Sequence, residues 1–195
     1  MLRRAVVLAV AALLFATADV AASTEHDVSI VSFSFSPTPT AVAIGDFVRW
    51  TNNASGTTQH TTTSDAVGLW DSGHLAVNSS FSHTFDDAGT FTYHCSIHHQ
   101  MKGTVTVALQ ASATSGAKGT SFTLTVADAT APAGWTHEVQ KAKGAGSFAA
   151  WKSTTGQTVM FKPKKKGTYR FEARLRKTGT STASGWSPVV TITIS

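Results

Sequence analysis

FTYHCSIHHQMKGTVTV (residues 91–107) holds the only cysteine of the 195-residue chain, three of its eight histidines and one of its three methionines. A Phe-x-Tyr-x-Cys alternation enters the stretch, so period two places Cys95 on the inward face of a strand. A Val-x-Val alternation follows Gly103 and begins a second strand. The cysteine is therefore expected at the buried end of a strand, at the start of a short connecting loop.

The connecting loop offers three metal-binding side chains at even spacing. Cys95, His98 and Met101 are each separated by two residues, and they provide a thiolate, an imidazole and a thioether. These soft donors suit copper better than magnesium or calcium. Two histidines and one cysteine in a plane, with a weak axial methionine, form a blue-copper site. The loop supplies three of those four ligands, so one histidine must come from elsewhere in the chain.

His60 is the best candidate for the missing ligand. It lies in the segment NNASGTTQHTTTSD (residues 52–65), after a predicted strand and a turn. The threonine-rich run that follows it could form the next strand of an antiparallel pair. A separation of 35 residues from Cys95 leaves room for hairpins that bring the two side chains to the same end of a sandwich.

Short alternating runs throughout the chain predict an all-β fold. Runs such as VSFSF, FVRWT and SFTLTVA alternate at period two, and clusters of Gly, Asn, Asp, Ser and Pro separate them. No segment shows the apolar stripe of an amphipathic helix. Strands at this spacing favour β-sandwiches. Since the two halves share no repeat, two consecutive and unlike sandwiches are expected.

Residues 28–107 resemble the small bacterial cupredoxins of the plastocyanin and amicyanin group. The resemblance rests on the Gly-Asp before the Trp-containing strand, the His-Thr pair, the Gly-Thr-Phe-x-Tyr-x-Cys entry and the Met-x-Gly-x-Val exit. The Cys-x2-His-x2-Met loop is similar to that of amicyanin. The resemblance implies a Greek-key β-sandwich with one type 1 copper per chain, held by His60, Cys95, His98 and Met101.

The first 22 residues have the pattern of a secretory signal peptide. A short basic start precedes the apolar run AVVLAVAALLFA, and small residues allow cleavage after Ala18 or Ala22. The mature chain is therefore expected to be exported, to the periplasm or the extracellular space. No later apolar run is long enough to predict a membrane span. In an oxidising compartment an unpaired cysteine is free, intermolecular or a metal ligand.

Charge divides the mature chain into two unlike halves. Residues 23–107 contain two Lys and Arg against seven Asp and Glu, whereas residues 108–195 contain twelve against three. The small-residue segment at 108–119, ALQASATSGAKG, is typical of a linker. The sequence thus predicts a cupredoxin domain at 23–107, a flexible linker at 108–119 and a smaller second sandwich at 120–195.

The second half resembles fibronectin type III and related immunoglobulin-like modules. The resemblance rests on GTYRF at residues 167–171 and on the final segment SGWSPVVTITIS. The basic character of this half predicts that it docks to an anionic cell-surface polymer or an acidic protein. The run KPKKKG at residues 162–167 lacks interleaved aromatic residues, so we expect no binding of nucleic acid.

The predicted function is that of an exported blue-copper protein that carries one electron between redox protein partners. A closed four-ligand site leaves no coordination position for a substrate, so we do not expect an enzyme. The alternative is a copper-binding protein that buffers or delivers the metal in the cell envelope. A closed site argues against the easy release of metal that this alternative requires.

His94, directly before Cys95, allows a third, enzymatic hypothesis. In copper nitrite reductases and multicopper oxidases a histidine in this position leads to a second copper centre. Such a centre needs further histidines from another domain, and the second half contains only His137. We therefore expect His94 to lie on the exposed face of its strand.

Overall fold

The computed structural model describes residues 22–195, and every regular element in that range is a β-strand. The all-β prediction is therefore confirmed. Within the same range no helix is long and apolar enough to cross a membrane. The predicted signal peptide, apart from Ala22, lies outside the described residues.

The strands divide evenly between the two halves of the chain. The first half contains β1 (Glu25–Val31), β2 (Ser34–Ser36), β3 (Thr40–Val42), β4 (Phe47–Asn52), β5 (Thr63–Ser64), β6 (Ser80–Thr84), β7 (Gly89–His94) and β8 (Lys102–Val107). The second half contains β9 (Gln110–Ala111), β10 (Ser115–Gly116), β11 (Phe122–Thr125), β12 (Trp135–Lys143), β13 (Ala149–Thr154), β14 (Thr158–Phe161), β15 (Gly167–Lys177) and β16 (Val190–Ile194).

The first half is a sandwich of two four-stranded sheets, with strand orders β2-β1-β4-β6 and β3-β8-β7-β5. Alternation along β7 buries Phe91 and Tyr93, as expected for a strand with one face on the core. The core contains large apolar side chains from both sheets, including Val28, Ile30, Phe35, Val48, Trp50, Trp70, Phe85, Phe91, Tyr93, Val105 and Val107.

The β7–β8 hairpin positions the predicted ligand loop. Its two strands are antiparallel and pair from Gly89 with Val107 to His94 with Lys102. Gly103, at the start of β8, has no space for a side chain, because an added Cβ would overlap the ring of Tyr93. A glycine is thus required where the loop rejoins the sheet.

The second half has its own two sheets and its own core. The sheets have strand orders β10-β16-β15-β12-β13 and β14-β11-β9, with β12 and β15 as the longest pair. The core contains large side chains from both sheets, among them Leu109, Phe122, Leu124, Val126, Val139, Phe161, Tyr169, Phe171, Ile192 and Ile194. The resemblance of this half to immunoglobulin-like modules stays a prediction.

Residues 108–119, predicted as a flexible linker, instead belong to the second sandwich. The short strand β9 pairs with β11, and β10 pairs with β16. Leu109 is 1% exposed and packs in the core of the second half. A segment that is poor in apolar residues can therefore still be held, because backbone pairing needs no apolar side chain and one leucine provides the anchor.

The two halves meet along the first residues of β7. Thr90 and Gly185 exchange backbone hydrogen bonds of 2.9 and 2.7 Å, and the Thr90 hydroxyl donates to the carbonyl of Trp186 at 2.7 Å. Close by, His137 Nε2 lies 2.6 Å from Asp87 Oδ1, and His137 is 1% exposed. We call this region the junction.

Candidate metal centre

Three of the four predicted ligands converge at one end of the first sandwich. Cys95 follows β7 directly, and His98 lies on the loop that leads to β8. His60 is brought to the same place by an antiparallel bridge with Leu75, in which the backbone hydrogen bonds measure 3.2 and 2.8 Å. Within residues 22–195, His60, Cys95 and His98 form the one group of ligand-type side chains close enough to hold a metal ion.

The distances among the donor atoms fit a three-coordinate plane around one metal ion. Cys95 Sγ lies 3.8 Å from His60 Nδ1 and 3.7 Å from His98 Nδ1, and the two nitrogens are 3.2 Å apart. Metal–nitrogen bonds of about 2.0 Å and metal–sulfur bonds of about 2.3 Å require separations of about 3.5 and 3.7 Å in a trigonal plane. Two imidazole nitrogens this close need either a shared proton or a cation between them.

Met101, the fourth predicted ligand, lies at the end of the loop that begins at Cys95. Its side chain is 2% exposed and packs in the same core as Cys95. The loop between them is closed by two hydrogen bonds, from the Cys95 N–H to the Met101 carbonyl at 3.2 Å and from the Met101 N–H to the His98 carbonyl at 2.9 Å. Its role as a ligand stays a prediction.

Thr61 supports the cysteine in a way that the sequence did not reveal. Its backbone N–H donates to Cys95 Sγ at 3.3 Å, and its hydroxyl accepts a hydrogen bond of 2.7 Å from the Ser96 N–H. A hydrogen bond to sulfur stabilises the thiolate, which is the form that binds metal. The one sequence signal for this role was the threonine that follows His60.

The environment of His60 favours the neutral imidazole that a metal ligand requires. The side chain is 0% exposed, and burial lowers its pKa, with a further lowering by the positive charge of His98. A metal bound at Nδ1 leaves the proton on Nε2, which is buried and has no hydrogen-bond partner among the described residues. His98 is only half-buried, so the site meets solvent on the His98 side.

Phe33 covers that solvent-facing side and was not identified from the sequence. It is 52% exposed, and its ring contacts the rings of His98 and His60 edge-on, with centroids 4.9 and 5.7 Å apart. Ser32 and Phe33 form the two-residue turn between β1 and β2, with φ angles of 47° and 58°. A bulky residue is disfavoured in this left-handed conformation. No sequence signal linked this turn to the ligands.

His94 lies on the face of β7 opposite to Phe91 and Tyr93, and it is half-buried there, whereas the sequence predicted an exposed position. Its Nδ1 lies 2.6 Å from Asp65 Oδ1 at the surface, and its ring centroid is 6.5 Å from that of His99. No third ligand-type side chain of residues 22–195 joins these groups in a compact cluster. The geometry therefore gives no support to a second copper centre beside Cys95.

The chain is similar to solved structures of a purple cupredoxin and of amicyanin. A purple cupredoxin from Nitrosopumilus maritimus is 28% identical over 42% of this chain and 97% of its own, with a TM-score of 0.39. The Cu(I) form of an amicyanin mutant is 30% identical over 48% of this chain and 90% of its own, with a TM-score of 0.38. A second amicyanin mutant, in the reduced state, is 26% identical over 47% of this chain and 85% of its own, with a TM-score of 0.38.

No curated protein matches the chain. The family profile of the cupredoxin-like domain, by contrast, matches residues 4–107, which are more than half of the 195 residues. Cupredoxins are copper proteins, and the group of His60, Cys95 and His98 can bind one copper ion. The chain is therefore a member of the cupredoxin-like family.

Proposed function

We propose that the protein is exported and carries single electrons, with one copper ion held by His60, Cys95, His98 and Met101. The observation that carries the proposal is the convergence of the Cys95 sulfur and the Nδ1 atoms of His60 and His98, with separations of 3.8, 3.7 and 3.2 Å. Copper bound by such donors supplies one-electron transfer between its +1 and +2 states. This role accords with the electron carriers that make up much of the family.

The protein's own part in this function is to hold the donors still. His60 and Cys95 are fully buried, and the hairpin and the bridge to Leu75 fix their backbones. Copper +1 and +2 prefer different geometries, so a rigid frame reduces the rearrangement that accompanies each transfer. The packed core beneath the loop also excludes water from the sulfur.

The half-buried edge of His98, with Phe33 beside it, is the proposed place where electrons enter and leave. Both rings lie at the surface end of the site, whereas His60 and Cys95 have no exposed surface. A redox protein that docks here would bring its own centre close to the donor atoms. The second half has no group of metal ligands among its described residues, and we assign it a docking role instead of chemistry.

The visible spectrum of the copper-loaded protein tests the proposal. A thiolate bound to Cu(II) gives an intense charge-transfer absorption, and Cys95→Ser should abolish it because the chain has no other thiol. His99→Ala removes an exposed histidine of the same loop and serves as the matched control. An absorption that survives Cys95→Ser, or disappears in His99→Ala, would overturn the ligand assignment.

The fate of the reduced copper distinguishes an electron carrier from the alternative, a protein that buffers or delivers copper. An electron carrier should keep its copper through repeated cycles of chemical reduction and oxidation, with full recovery of the absorption. A delivery protein should lose Cu(I) to a moderate chelator within those cycles. Copper content after each cycle measures the difference.

A further inference from the structure

Six lysines gather at one end of the second sandwich, and we call this group the lysine end. Every one of them is exposed, and they come from three separate parts of the chain. The group consists of Lys118, Lys143, Lys162, Lys164, Lys165 and Lys166.

Hydrogen bonds and packing hold the backbone of the lysine end in place. Pro163 is buried, and its carbonyl accepts a hydrogen bond of 2.9 Å from the Gly119 N–H, which ties two of the three segments together. The Tyr169 hydroxyl donates to the carbonyl of Lys165 at 2.9 Å. The third segment joins through Lys143, whose Nζ lies 5.6 Å from the centre of the Tyr169 ring. The backbone that carries the charges is therefore fixed before any ligand arrives, which lowers the entropic cost of binding.

No carboxylate side chain neutralises these lysines in the described part of the chain. None of the ion pairs in residues 22–195 includes any of the six. Of the three acidic residues of this half, Glu138 binds Arg174 and Arg176, Glu172 feels the charges of Arg170 and Arg174, and Asp128 lies near Gly45 of the first half. Like charges on one surface repel one another, so a bound polyanion would relieve that repulsion.

The lysine end and the metal centre lie at the far ends of two strands that meet at the junction. Strand β15 runs from Gly167, beside the lysine loop, to the region where Leu175 binds Ser184 next to Gly185. Strand β7 runs from the junction to the residue before Cys95. A partner bound at the lysine end would therefore leave the His98 edge free for electron transfer.

We propose that the lysine end binds a linear anionic polysaccharide and so anchors the carrier to a polymer surface. Lysine is a hydrated point charge without the planar fork of arginine, so six lysines suit a chain of spaced carboxylates or sulfates better than one shaped anion. The loops of the lysine end present no exposed aromatic or large aliphatic side chain, although Met160 precedes them on β14. Insertion into a bilayer generally needs such side chains. The inference rests on the docking part of the proposed function and is independent of the copper site.

Binding of this kind should weaken steeply with salt. When a basic protein binds a nucleic acid, each phosphate contact adds a nearly fixed amount to the slope of log affinity against log salt concentration. A polysaccharide should follow the same rule, with a smaller slope for each contact. With six lysines engaged, raising the salt from about 50 to 200 mM should reduce the affinity by about a hundredfold. The copper absorption should not change over the same range.

The test uses the full chain and polygalacturonate as the probe, with binding followed by titration calorimetry. Lys164→Glu together with Lys166→Glu reverses two charges within the lysine end. Lys152→Glu together with Lys177→Glu reverses two exposed charges of the same half outside it, so both variants have the same net charge. We expect the first variant to lose at least tenfold in affinity and the second to lose less than threefold.

Three outcomes would overturn the proposal. Equal losses in the two variants would mean that net charge alone governs binding. If the unaltered chain does not bind the polymer at low salt, the lysine end is not a polysaccharide-binding site. Tighter binding to vesicles that contain phosphatidylglycerol, or to nucleic acid, than to the polymer would assign the lysine end to that partner. The visible absorption of each copper-loaded variant reports on the metal centre alone, so a failure of polymer binding can be told apart from a failure of the copper site.

Discussion

Two connecting loops of this molecule have opposite side-chain orientations. Residues 95–101, between β7 and β8, turn Cys95 and Met101 into the core, where both are at most 2% exposed. Residues 162–166, between β14 and β15, turn four lysines outward. Both backbones are held by hydrogen bonds, so the difference is not one of order. It shows that one kind of strand connection can present a buried metal site or an exposed charged surface, according to its side chains.

The largest effect on stability should come from replacing the glycine at which each loop rejoins its sheet. Gly103→Ala would place a methyl group inside the ring of the buried Tyr93, and such overpacking should cost about 3 kcal/mol or more. Gly167→Ala meets only the end of the flexible Lys143 side chain, at 3.0 Å, and carries the strain of a φ of 125°. Its cost should be about 1–2 kcal/mol. Urea unfolding of both metal-free variants measures the difference, and equal costs would contradict the comparison.

Acid should destabilise the first half, which contains the metal centre, because His83 then takes up a proton. This side chain stacks on Trp70 at 4.8 Å, and burial lowers its pKa from 6.5 to about 4, with a small opposing effect from Asp87. The unfolded chain takes up a proton near pH 6.5 and the folded chain only near pH 4. Stability is therefore complete above about pH 6.5 and falls by about 1–2 kcal/mol as the pH approaches 4, after allowance for partial exposure.

Replacement of His83 isolates that acid effect. In His83→Phe, the free energy of unfolding of the metal-free protein should change less between pH 7 and pH 4.5 than in the unaltered chain. His74→Gln alters an exposed histidine of the same half and should keep the full pH dependence. An unchanged pH dependence in His83→Phe would show that another group governs the acid response.

The sequence predicted a ligand loop because the signals for it are local or strongly periodic. Two-residue spacings place Cys95, His98 and Met101 on one loop, and strand alternation shows which way the cysteine faces. Phe33 escaped prediction because its contact with His98 joins segments more than 60 residues apart through a turn with an unusual backbone. Nothing about a Ser-Phe pair predicts that conformation, since Asn-Gly is the usual choice.

The segment at 108–119 shows the opposite limit of sequence reasoning. Its composition predicts a flexible linker, yet the pairing of β9 with β11 fixes it through backbone groups that every sequence shares. The single informative residue was Leu109, which is fully packed in the second core. Composition averages over a window and conceals one anchor of this kind.

The smallest effect on stability should come from the turn that covers the metal centre. Phe33→Asn places a residue that tolerates the left-handed region at a φ of 58° and should raise stability by about 1 kcal/mol or less. The same change uncovers His98, so added imidazole should alter the visible spectrum of the copper-loaded variant at lower concentration. Ser32→Asn relaxes the same turn and retains the phenyl ring, so it should leave the response to imidazole unchanged. An equal response in both variants would exclude a shielding role for Phe33.

The hydrogen bonds between Thr90 and Gly185 also determine how an anchored molecule could move. A hinge between the halves would have to break this pair of backbone bonds and separate His137 from Asp87. An anchored protein would therefore move as one unit and carry the copper edge with it. The reach of that edge would be set by the slack of the polymer and not by flexing within the protein.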